Sequence, residues 1–529
     1  MEDLIQKLIQ YNIGIDVVDN QLKLIIPCGV NANEIIKEVR QNKEELLSFL
    51  REMKSQQNRF IRPLNKYNDG TNDSHIPDST SDAAVYRGEY YYPVTPVQIY
   101  WINDHKDTEF KQVDATHGYI LKSWFVNEKI NPIIFKMAVA YVVRRHESLR
   151  ATFHIIDGKY LMKVGKEDSS LYEPDIRDLR NSPIPDEELN RIADLRDCRM
   201  NLEKGPLFLT RLIQLDNEKY ILSIKLHHSI SDALSLEILQ RDLLTAYMDL
   251  SQGKQPSLPV LKYHLKEYLK FINDDARRNY DSHKKYWNDL YDHLPHELII
   301  PGAKKNEGLV DQKICKIEEF QIPAGIRTKM DTLAKEFSVS LFVIIQATFK
   351  AFLRYITGQT DIVIGTFVFG RNYPGVADQI GCYARTVLIR TIVDNADSFH
   401  DIILKVKQAN EDMQTYTAYT LMNACEAMLP DKANINGSFW KINLQYEDLG
   451  DSFVEQGNLI DDISHSLGID FTDRVCEKNS HIPIDMSLQF FCTDKNLDLS
   501  IHFDSSTYDS SSIRIFAADY LAYADEITN

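Results

Sequence analysis

The chain has 529 residues, more than a single hydrophobic core usually holds, so its length predicts two or three domains. A formal net charge of −17 argues against a nucleic-acid or anionic-membrane partner, and no stretch approaches the ~20 apolar residues of a membrane-spanning helix. The seven cysteines are scattered without a CxxC pair, and the acidic start MEDLIQ does not resemble a signal peptide, which together predict a cytoplasmic protein without a zinc site.

Residues 1–54 are predicted to form a separate small α-β-β-α-α domain. Apolar residues recur at helical spacing from Leu4 to Ile9, and the segments IGIDVV and QLKLII then flank Asp19-Asn20, as in a hairpin with a tight turn. Such a unit has a thin core and an exposed strand edge, to which a partner peptide can add a strand. A subdomain that packs on the rest of the chain fits these residues equally well.

The segment resembles the N-terminal docking domains of the tubulysin-synthetase type, which are found on assembly-line synthetases. The resemblance rests on the order of the elements and covers nearly all of residues 1–54. It implies that the second strand of the hairpin binds the acidic C-terminal tail of an upstream synthetase, with Lys23 as a charge partner. The residues assigned to that strand are Gln21, Leu22, Lys23, Leu24, Ile25 and Ile26.

Two further segments follow. Residues 55–90 are polar and rich in turn-forming residues, which predicts a linker. From Tyr91 to the end, helix-like and strand-like segments alternate, which predicts an α/β fold. A break near residues 294–308 divides this region into a predicted first lobe of about 91–290 and a second lobe of about 291–529.

The sequence KLHHSISDAL, at residues 225–234, stands where a buried-strand pattern meets a helix pattern. A turn at that place can present side chains to a cleft. Because successive side chains of a strand face opposite sides, His227 and His228 are not expected to enter the same site. The same geometry disfavours a metal centre, and no HExxH motif or Cys/His cluster supplies further ligands. Taken alone, the pattern favours a structural histidine pair over a catalytic base.

The pattern does not stand alone, because the chain resembles the condensation domains of nonribosomal peptide synthetases, relatives of chloramphenicol acetyltransferase. These domains carry HHxxxD after an apolar strand, and the resemblance covers residues 91–529 almost completely. The other matching blocks, in order, are YPVTPVQIYW (92–101), RRHESLRATF (144–153), YHLKEYLKF (263–271), DIVIGTFVFGRNYPGVADQIGCYARTVLIR (361–390), NLQYED (443–448) and the closing strands (482–509). Ordered blocks are far more specific than any single one, so the interpretation turns toward catalysis.

The resemblance implies two chloramphenicol-acetyltransferase-like lobes that form a V around a central tunnel. It also implies that an amine attacks an acyl thioester on the phosphopantetheine arm of a partner carrier protein, with no cofactor or metal bound by this chain. His228 would face the tunnel and position or deprotonate the amine, tasks that suit an imidazole titrating near neutrality. His227 would be structural. Asp232 would act structurally through an ion pair, with Arg371 as the predicted partner and Arg354 as the alternative.

Three further positions are assigned from the resemblance. Arg150, in the RHESLR sequence, is predicted to be structural. Ala233 replaces the glycine of the family's motif, whose backbone N–H has been suggested as an oxyanion donor, and alanine keeps that N–H. Arg385 stands where the family has an asparagine, and it would line the tunnel, tune the choice of acceptor, or pair with a carboxylate.

The acceptor is the remaining question. No adenylation or carrier motif follows the closing strands, from which we expect a terminal condensation enzyme that releases the peptide by amidation with a free small-molecule amine. The donor would arrive from the upstream synthetase's carrier protein through the docking domain. An acceptor on a carrier protein in trans and an ester-forming reaction with a hydroxyl acceptor are the alternatives within the family.

Other classes make different demands on the sequence. An epimerisation domain should follow a carrier domain in its own chain, and a heterocyclisation domain should have an aspartate in place of His227. A non-catalytic recruiting module predicts that His228→Ala leaves product formation unchanged. An acyltransferase of the same superfamily that uses coenzyme A predicts turnover without residues 1–54.

Overall fold

The structure is a computed structural model, and it describes the protein over the ranges 14–18, 21–25, 33–43, 84–86, 88–111, 118–167, 170–181, 184–261, 263–291, 295, 298–304, 315–368, 370–371, 375–416, 441–448, 471–473, 484–493 and 496–528. Most of the predicted linker lies outside these ranges.

The N-terminal segment contains the predicted hairpin. Strands β1 (Gly14–Val18) and β2 (Gln21–Ile25) pair antiparallel, with Val18 opposite Gln21, as a two-residue turn requires. Helix α1 (Asn33–Gln41) follows. The helix predicted before the hairpin and the last helix of the predicted α-β-β-α-α unit lie outside the described residues, so the docking domain stays a prediction.

Regular structure begins earlier than the composition predicts. Strands β3 (Ala84–Tyr86) and β4 (Glu89–Pro93) form an antiparallel hairpin in what composition assigns to the end of the linker. The Tyr91 side chain is buried and contacts the rings of Tyr86 and His154 edge to face. A short strand anchored by one aromatic side chain leaves little trace in the composition, which explains the difference.

The first lobe is built on two sheets. The larger has the strand order β15-β5-β10-β9-β8, and the smaller the order β3-β4-β7-β6. Strands β9 and β10 pair antiparallel, as do β10 and β5, whereas β8 and β9 are parallel. The strands are β5 (Tyr119–Val126), β6 (Ala151–Ile156), β7 (Lys159–Val164), β8 (Asp175–Asp178), β9 (Phe208–Asp216), β10 (Lys219–His227) and β15 (Phe471–Asp473).

Helices cover the first lobe's sheet. They are α2 (Pro96–Lys111), α3 (Pro132–Arg145), α4 (Asp186–Ala193), α5 (Ala233–Ser251) and α6 (Leu265–Arg278). The next helix, α7 (Tyr280–Tyr291), instead places Trp287 in the core of the second lobe. The predicted strand-to-helix step of the HHxxxD segment is present, since β10 ends at His227 and α5 begins at Ala233. Asp232 caps α5 by accepting a hydrogen bond from the backbone N–H of Ser235, which fixes where the helix starts.

The second lobe has one mixed sheet with the order β11-β17-β16-β14-β12-β13. Its strands are β11 (Cys315–Gln321), β12 (Asp361–Val368), β13 (Arg385–Ile392), β14 (Ile442–Asp448), β16 (Met486–Cys492) and β17 (Leu497–Asp504). Its helices are α8 (Ala324–Glu336), α9 (Leu341–Thr357), α10 (Phe399–Thr415) and α11 (Ser510–Ile527). Helix α9 is apolar on nearly every face and is buried in the core of this lobe.

Two segments of the second lobe cross to the first. Strand β15 pairs with β5 antiparallel and so extends the first lobe's sheet. The connection between β12 and β13, here called the crossing loop (370–371 and 375–384), buries Val376, Ile380 and Tyr383 in the first lobe's core. The predicted α/β fold is confirmed, while the V shape and the tunnel stay predictions.

Two simple properties of the described residues bear on the sequence-based expectations. Cys198, Cys382 and Cys492 carry free thiols. In this part of the chain, no helix by itself has the length and apolar character to cross a membrane. Helices α8 and α9 together have that length and apolar character, but the pair is bent by 112°.

Candidate active site

The two histidines of the motif face different environments, as the strand geometry predicts. His227, the last residue of β10, is completely buried. Its Nδ1 accepts a hydrogen bond from the backbone N–H of Ser229 at 3.1 Å and lies 2.7 Å from that residue's hydroxyl. Burial, with the neighbouring His105 and His228 as smaller causes, holds the pKa of His227 well below its usual value. His227 is therefore neutral and unavailable to a substrate.

His228 leaves the strand and is half-buried. It begins a short 3₁₀ turn (His228–Ile230) between β10 and α5. Its backbone N–H donates to the carbonyl of Gly118 at 3.0 Å, which holds the main chain against the start of β5. The imidazole lies flat on the indole of Trp101, with ring centroids 4.4 Å apart and planes 20° apart.

Three side chains on one face of helix α2 contact three consecutive residues of the HHxxxD motif. The Gln98 side chain donates to the carbonyl of Ser229 at 3.1 Å, Trp101 stacks on His228, and His105 contacts the His227 ring edge to face at 5.0 Å. Positions 98, 101 and 105 lie on one side of a helix, so the three contacts form a single continuous surface. Gln98 is fully buried, and its hydrogen bond fixes the register of the helix against the turn.

The carboxylate of Asp232 is occupied by structural contacts. Oδ1 accepts from Arg371 Nη2 at 2.8 Å, and from the backbone N–H and the hydroxyl of Ser235 at 2.9 and 2.6 Å. Oδ2 accepts from the backbone N–H groups of Tyr383 and Ala384, each at 3.2 Å. Asp232 is only 4% exposed. The carboxylate thus ties the start of α5 to the crossing loop, and its contacts are with the protein itself.

Arg371 is the residue that pairs with Asp232. Its Nη1 donates to the carbonyls of Val376 and Gln379 at 3.0 and 2.5 Å, and its guanidinium lies 4.4 Å from the centre of the Tyr383 ring. Arg354, the alternative, instead donates to the carbonyl of Asp394 in the second lobe.

The other assigned residues have these positions. Arg150 is buried and donates to the backbone carbonyls of Val143 and Gly165 at 3.0 and 2.7 Å. Ala233 is exposed as the first residue of α5, where backbone N–H groups have no partner within the helix. The predicted docking residues from Gln21 to Ile25 form β2, and Ile26 lies outside the described residues.

Arg385 begins β13 and is 5% exposed. Its Nη2 donates to the Tyr268 hydroxyl at 3.2 Å, and that hydroxyl donates in turn to the carbonyl of Gly370 at 3.2 Å. The tyrosine comes from the YHLKEYLKF segment of the first lobe, so this contact also crosses between the lobes. Arg385 thus contacts a side chain that supports the crossing loop.

Sequence reasoning missed the contact of Trp101 and the raised pKa of Glu237. Trp101 ends the YPVTPVQIYW block three residues after Gln98, and that helical spacing is the only signal the sequence holds for its contact with His228. Glu237 lies one helical turn after Ala233, and burial, reinforced by Glu447 of β14, raises its pKa to about 7. Because Glu447 is 210 positions away in the sequence, no local pattern predicts its effect on the pKa of Glu237. Over the described ranges, no group of three His, Cys, Asp or Glu residues is placed to hold a metal ion.

Comparison with known proteins agrees with this geometry. The sequence model of the family described as "Condensation domain" matches residues 89–529. Gramicidin S synthase 2 of Brevibacillus brevis is 26% identical over 330 residues, which is 60% of this chain and 7% of that protein. Bacitracin synthase 1 of Bacillus licheniformis is 28% identical over 309 residues, which is 57% of this chain and 5% of that protein. The chain therefore spans a small part of the length of these relatives.

Solved structures of low sequence identity share the fold. The X-domain from teicoplanin biosynthesis superposes with a TM-score of 0.68 at 17% identity, over 84% of this chain and 96% of that one. The first condensation domain of the calcium-dependent antibiotic synthetase, solved with a substrate analogue, superposes with a TM-score of 0.60 at 15% identity, over 83% and 96% of the two chains.

Proposed function

Because the chain belongs to the condensation-domain family of nonribosomal peptide synthetases, we propose that it joins a carrier-bound peptidyl or aminoacyl thioester to a free amine and so releases the peptide. As a member of that family it is an amide-forming acyltransferase. The free-amine acceptor and the delivery of the donor through residues 1–54 are the specific parts of the proposal. The observation that supports it is the difference between the two histidines of the motif, since His228 is partly exposed while His227 is completely buried.

The proposed reaction needs few groups. The amine nitrogen attacks the thioester carbonyl, a C–N bond forms, the C–S bond breaks, and the pantetheine thiol leaves with a proton. His228 holds the amine or takes its proton, a task that general acid–base catalysis most often gives to histidine. The N–H of Ala233 is the candidate donor to the carbonyl oxygen as negative charge develops there. The phosphopantetheine arm belongs to the partner carrier protein.

Structural roles explain the other charged and imidazole side chains of the motif. His227 is kept neutral by burial, and its Nδ1 fixes the turn through Ser229. Asp232 and Arg371 join the start of α5 to the crossing loop next to His228. These contacts support the proposal because they give His227 and Asp232 roles within the fold.

The acceptor is tested by mass spectrometry. Purified protein is mixed with an upstream carrier loaded with a peptidyl thioester, and with either a panel of free amines, a panel of alcohols, or a second carrier loaded with an amino acid. We expect an amidated, released peptide with at least one free amine and none with His228→Ala. Product only with the loaded second carrier would replace the free-amine acceptor by elongation in trans, and ester product would replace the amine by a hydroxyl.

The docking role is tested in the same assay at limiting carrier concentration. Deleting residues 1–54 is expected to raise the KM for the loaded carrier and leave the kcat at saturation unchanged, because docking affects encounter and not chemistry. Lys23→Glu is expected to act in the same direction when the upstream tail is acidic, and Lys37→Glu, an exposed lysine of α1, is the matched charge control. An unchanged KM after the deletion contradicts the docking proposal.

A further inference from the structure

We propose that Trp101 is a positioning residue for the condensation reaction, holding the imidazole of His228 in the orientation that meets the attacking amine. The inference rests on the proposed function of His228. It begins from the flat stacking of the two rings, with centroids 4.4 Å apart. A face-to-face contact blocks one side of the imidazole and restricts rotation of the ring, while it leaves the in-plane nitrogens uncovered by the indole.

The contact matters because His228 is held differently from His227. His227 is enclosed on all sides and bonded through Nδ1 to Ser229. His228 has its backbone fixed by the carbonyl of Gly118, yet its side chain is half-buried at the surface of the turn. A main-chain hydrogen bond does not set the side-chain torsion angles. A broad rigid ring against the imidazole does restrict them.

Trp101 can serve this purpose because its own position is well determined. Gln98, one turn earlier, is fully buried and bonded to the carbonyl of Ser229. His105, one turn later, is buried against the rings of His227 and Tyr119. The indole is thus held between two anchored turns of α2. A displacement of a reacting group by ~1 Å can cost about 100-fold in rate, so this support has catalytic weight.

The inference is tested with Trp101→Leu, Trp101→Phe and the control Tyr90→Leu. Tyr90 lies on β4 and its side chain is exposed. Trp101→Leu is expected to lower kcat by about 10- to 100-fold while the KM for the amine changes by less than about twofold. Trp101→Phe keeps an aromatic face and should retain at least about a third of the parental kcat. Tyr90→Leu should behave like the parent.

A spectroscopic measurement reports the stacking without any substrate. Protein labelled with ¹³C in its histidine rings gives a Cε1–H signal for His228, which is assigned by its disappearance in His228→Ala. The indole ring current should place this proton signal upfield. We expect the upfield shift to persist in Trp101→Phe and to vanish in Trp101→Leu, with the His227 signal unchanged. Should Trp101→Leu fail to fold, Trp101→Met, which has volume but no aromatic face, takes its place.

The outcomes separate the two proposals. Full kcat in Trp101→Leu, equal loss in the Leu and Phe variants, or a His228 signal without an upfield shift overturns the positioning role. If the parental protein forms no amide with any acceptor, the proposed function fails, and the histidine spectrum still shows whether Trp101 orders His228.

Discussion

At the scale of single residues, Asp232 shows how one buried carboxylate can join two parts of the fold. Its carboxylate accepts hydrogen bonds from the Arg371 guanidinium, from the Ser235 hydroxyl and from three backbone N–H groups, and it is almost completely buried. Removing one partner of a buried ion pair commonly costs about 3–5 kcal/mol, because the other charge is left without compensation.

We therefore expect Asp232→Asn to lower the free energy of unfolding by about 3–5 kcal/mol, and to lose activity together with stability. Urea denaturation measures this loss. The double variant Asp232→Asn/Arg371→Leu should be less destabilised than the sum of the single variants, since it leaves no unpaired guanidinium. An Asp232→Asn protein that is as stable as the parent yet inactive would contradict the structural role.

Lys350 is a second residue whose surroundings set its properties. It is completely buried on α9 and donates to the carbonyl of Ile389 at 2.9 Å and the Thr391 hydroxyl at 2.6 Å. Burial lowers the pKa of Lys350 from 10.5 to about 7, only partly opposed by Asp361. Between pH 7 and 10.5 the unfolded chain binds more protons than the folded one, so this residue's contribution to stability rises with pH in that window.

Lys350→Met should consequently stabilise the second lobe near pH 7, by an amount on the order of a few kcal/mol. The advantage over the parent should shrink as the pH approaches about 10, because deprotonation in the unfolded state removes the penalty. Urea denaturation of both proteins at about pH 7 and about pH 9.5 measures this difference in the free energy of unfolding. A difference that is the same at both pH values would mean that the buried ammonium is not its cause.

At the scale of structural elements, the crossing loop joins the second lobe to the start of α5 in the first lobe. The Ser148 hydroxyl donates to the carbonyl of Ile380 at 2.6 Å, and Arg241 pairs with Asp378 at 2.7 Å. Together with the ion pair between Asp232 and Arg371, these contacts hold the loop beside the start of α5. To make these contacts, parts of the loop's backbone must lie close to one another, and only glycine fits at such a position.

Gly370 lies where the backbone of Tyr383 leaves no room for a side chain. Its φ is +64°, and a Cβ there would lie 2.1 Å from the carbonyl oxygen of Tyr383. Gly370→Ala should therefore shift the loop, lower the unfolding midpoint and reduce activity together. Gly325→Ala is the matched control, because its Cβ would meet no atom within 4 Å and its φ is ordinary. Differential scanning calorimetry compares the two, and equal midpoints would show that the loop does not need this close approach.

Element-level prediction from sequence succeeds where the signal is local. The β10–α5 step, the Asp19–Asn20 hairpin and the different surroundings of His227 and His228 all follow from period and turn chemistry. The β3–β4 hairpin does not, since its burial depends on Tyr91 contacting His154 of β6. Pairing of β15 with β5 likewise joins residues some 350 positions apart in the chain and has no local signature.

At the scale of the whole molecule, local sequence signals predict the fold but not the contacts of the candidate site. The alternation of segments predicts an α/β protein, and the ordered blocks predict the family. The contacts around the candidate site come from both lobes, so the stacking of Trp101 on His228 emerges only in three dimensions. Arg371 is an intermediate case, because the family resemblance suggests a distant arginine but only the fold brings it to Asp232.

In the proposed reaction, His228 is the side chain that positions or deprotonates the amine. The most direct measurement is the single-turnover rate of acyl transfer from a loaded carrier to the best free amine, compared between the parent and His228→Ala under saturating carrier. Loss of a positioned acid–base group is expected to slow the reaction by about 100- to 10,000-fold. The unfolding midpoint should change little, because His228 is only partly buried. A His228→Ala protein that transfers the acyl group at the parental rate would contradict the central claim.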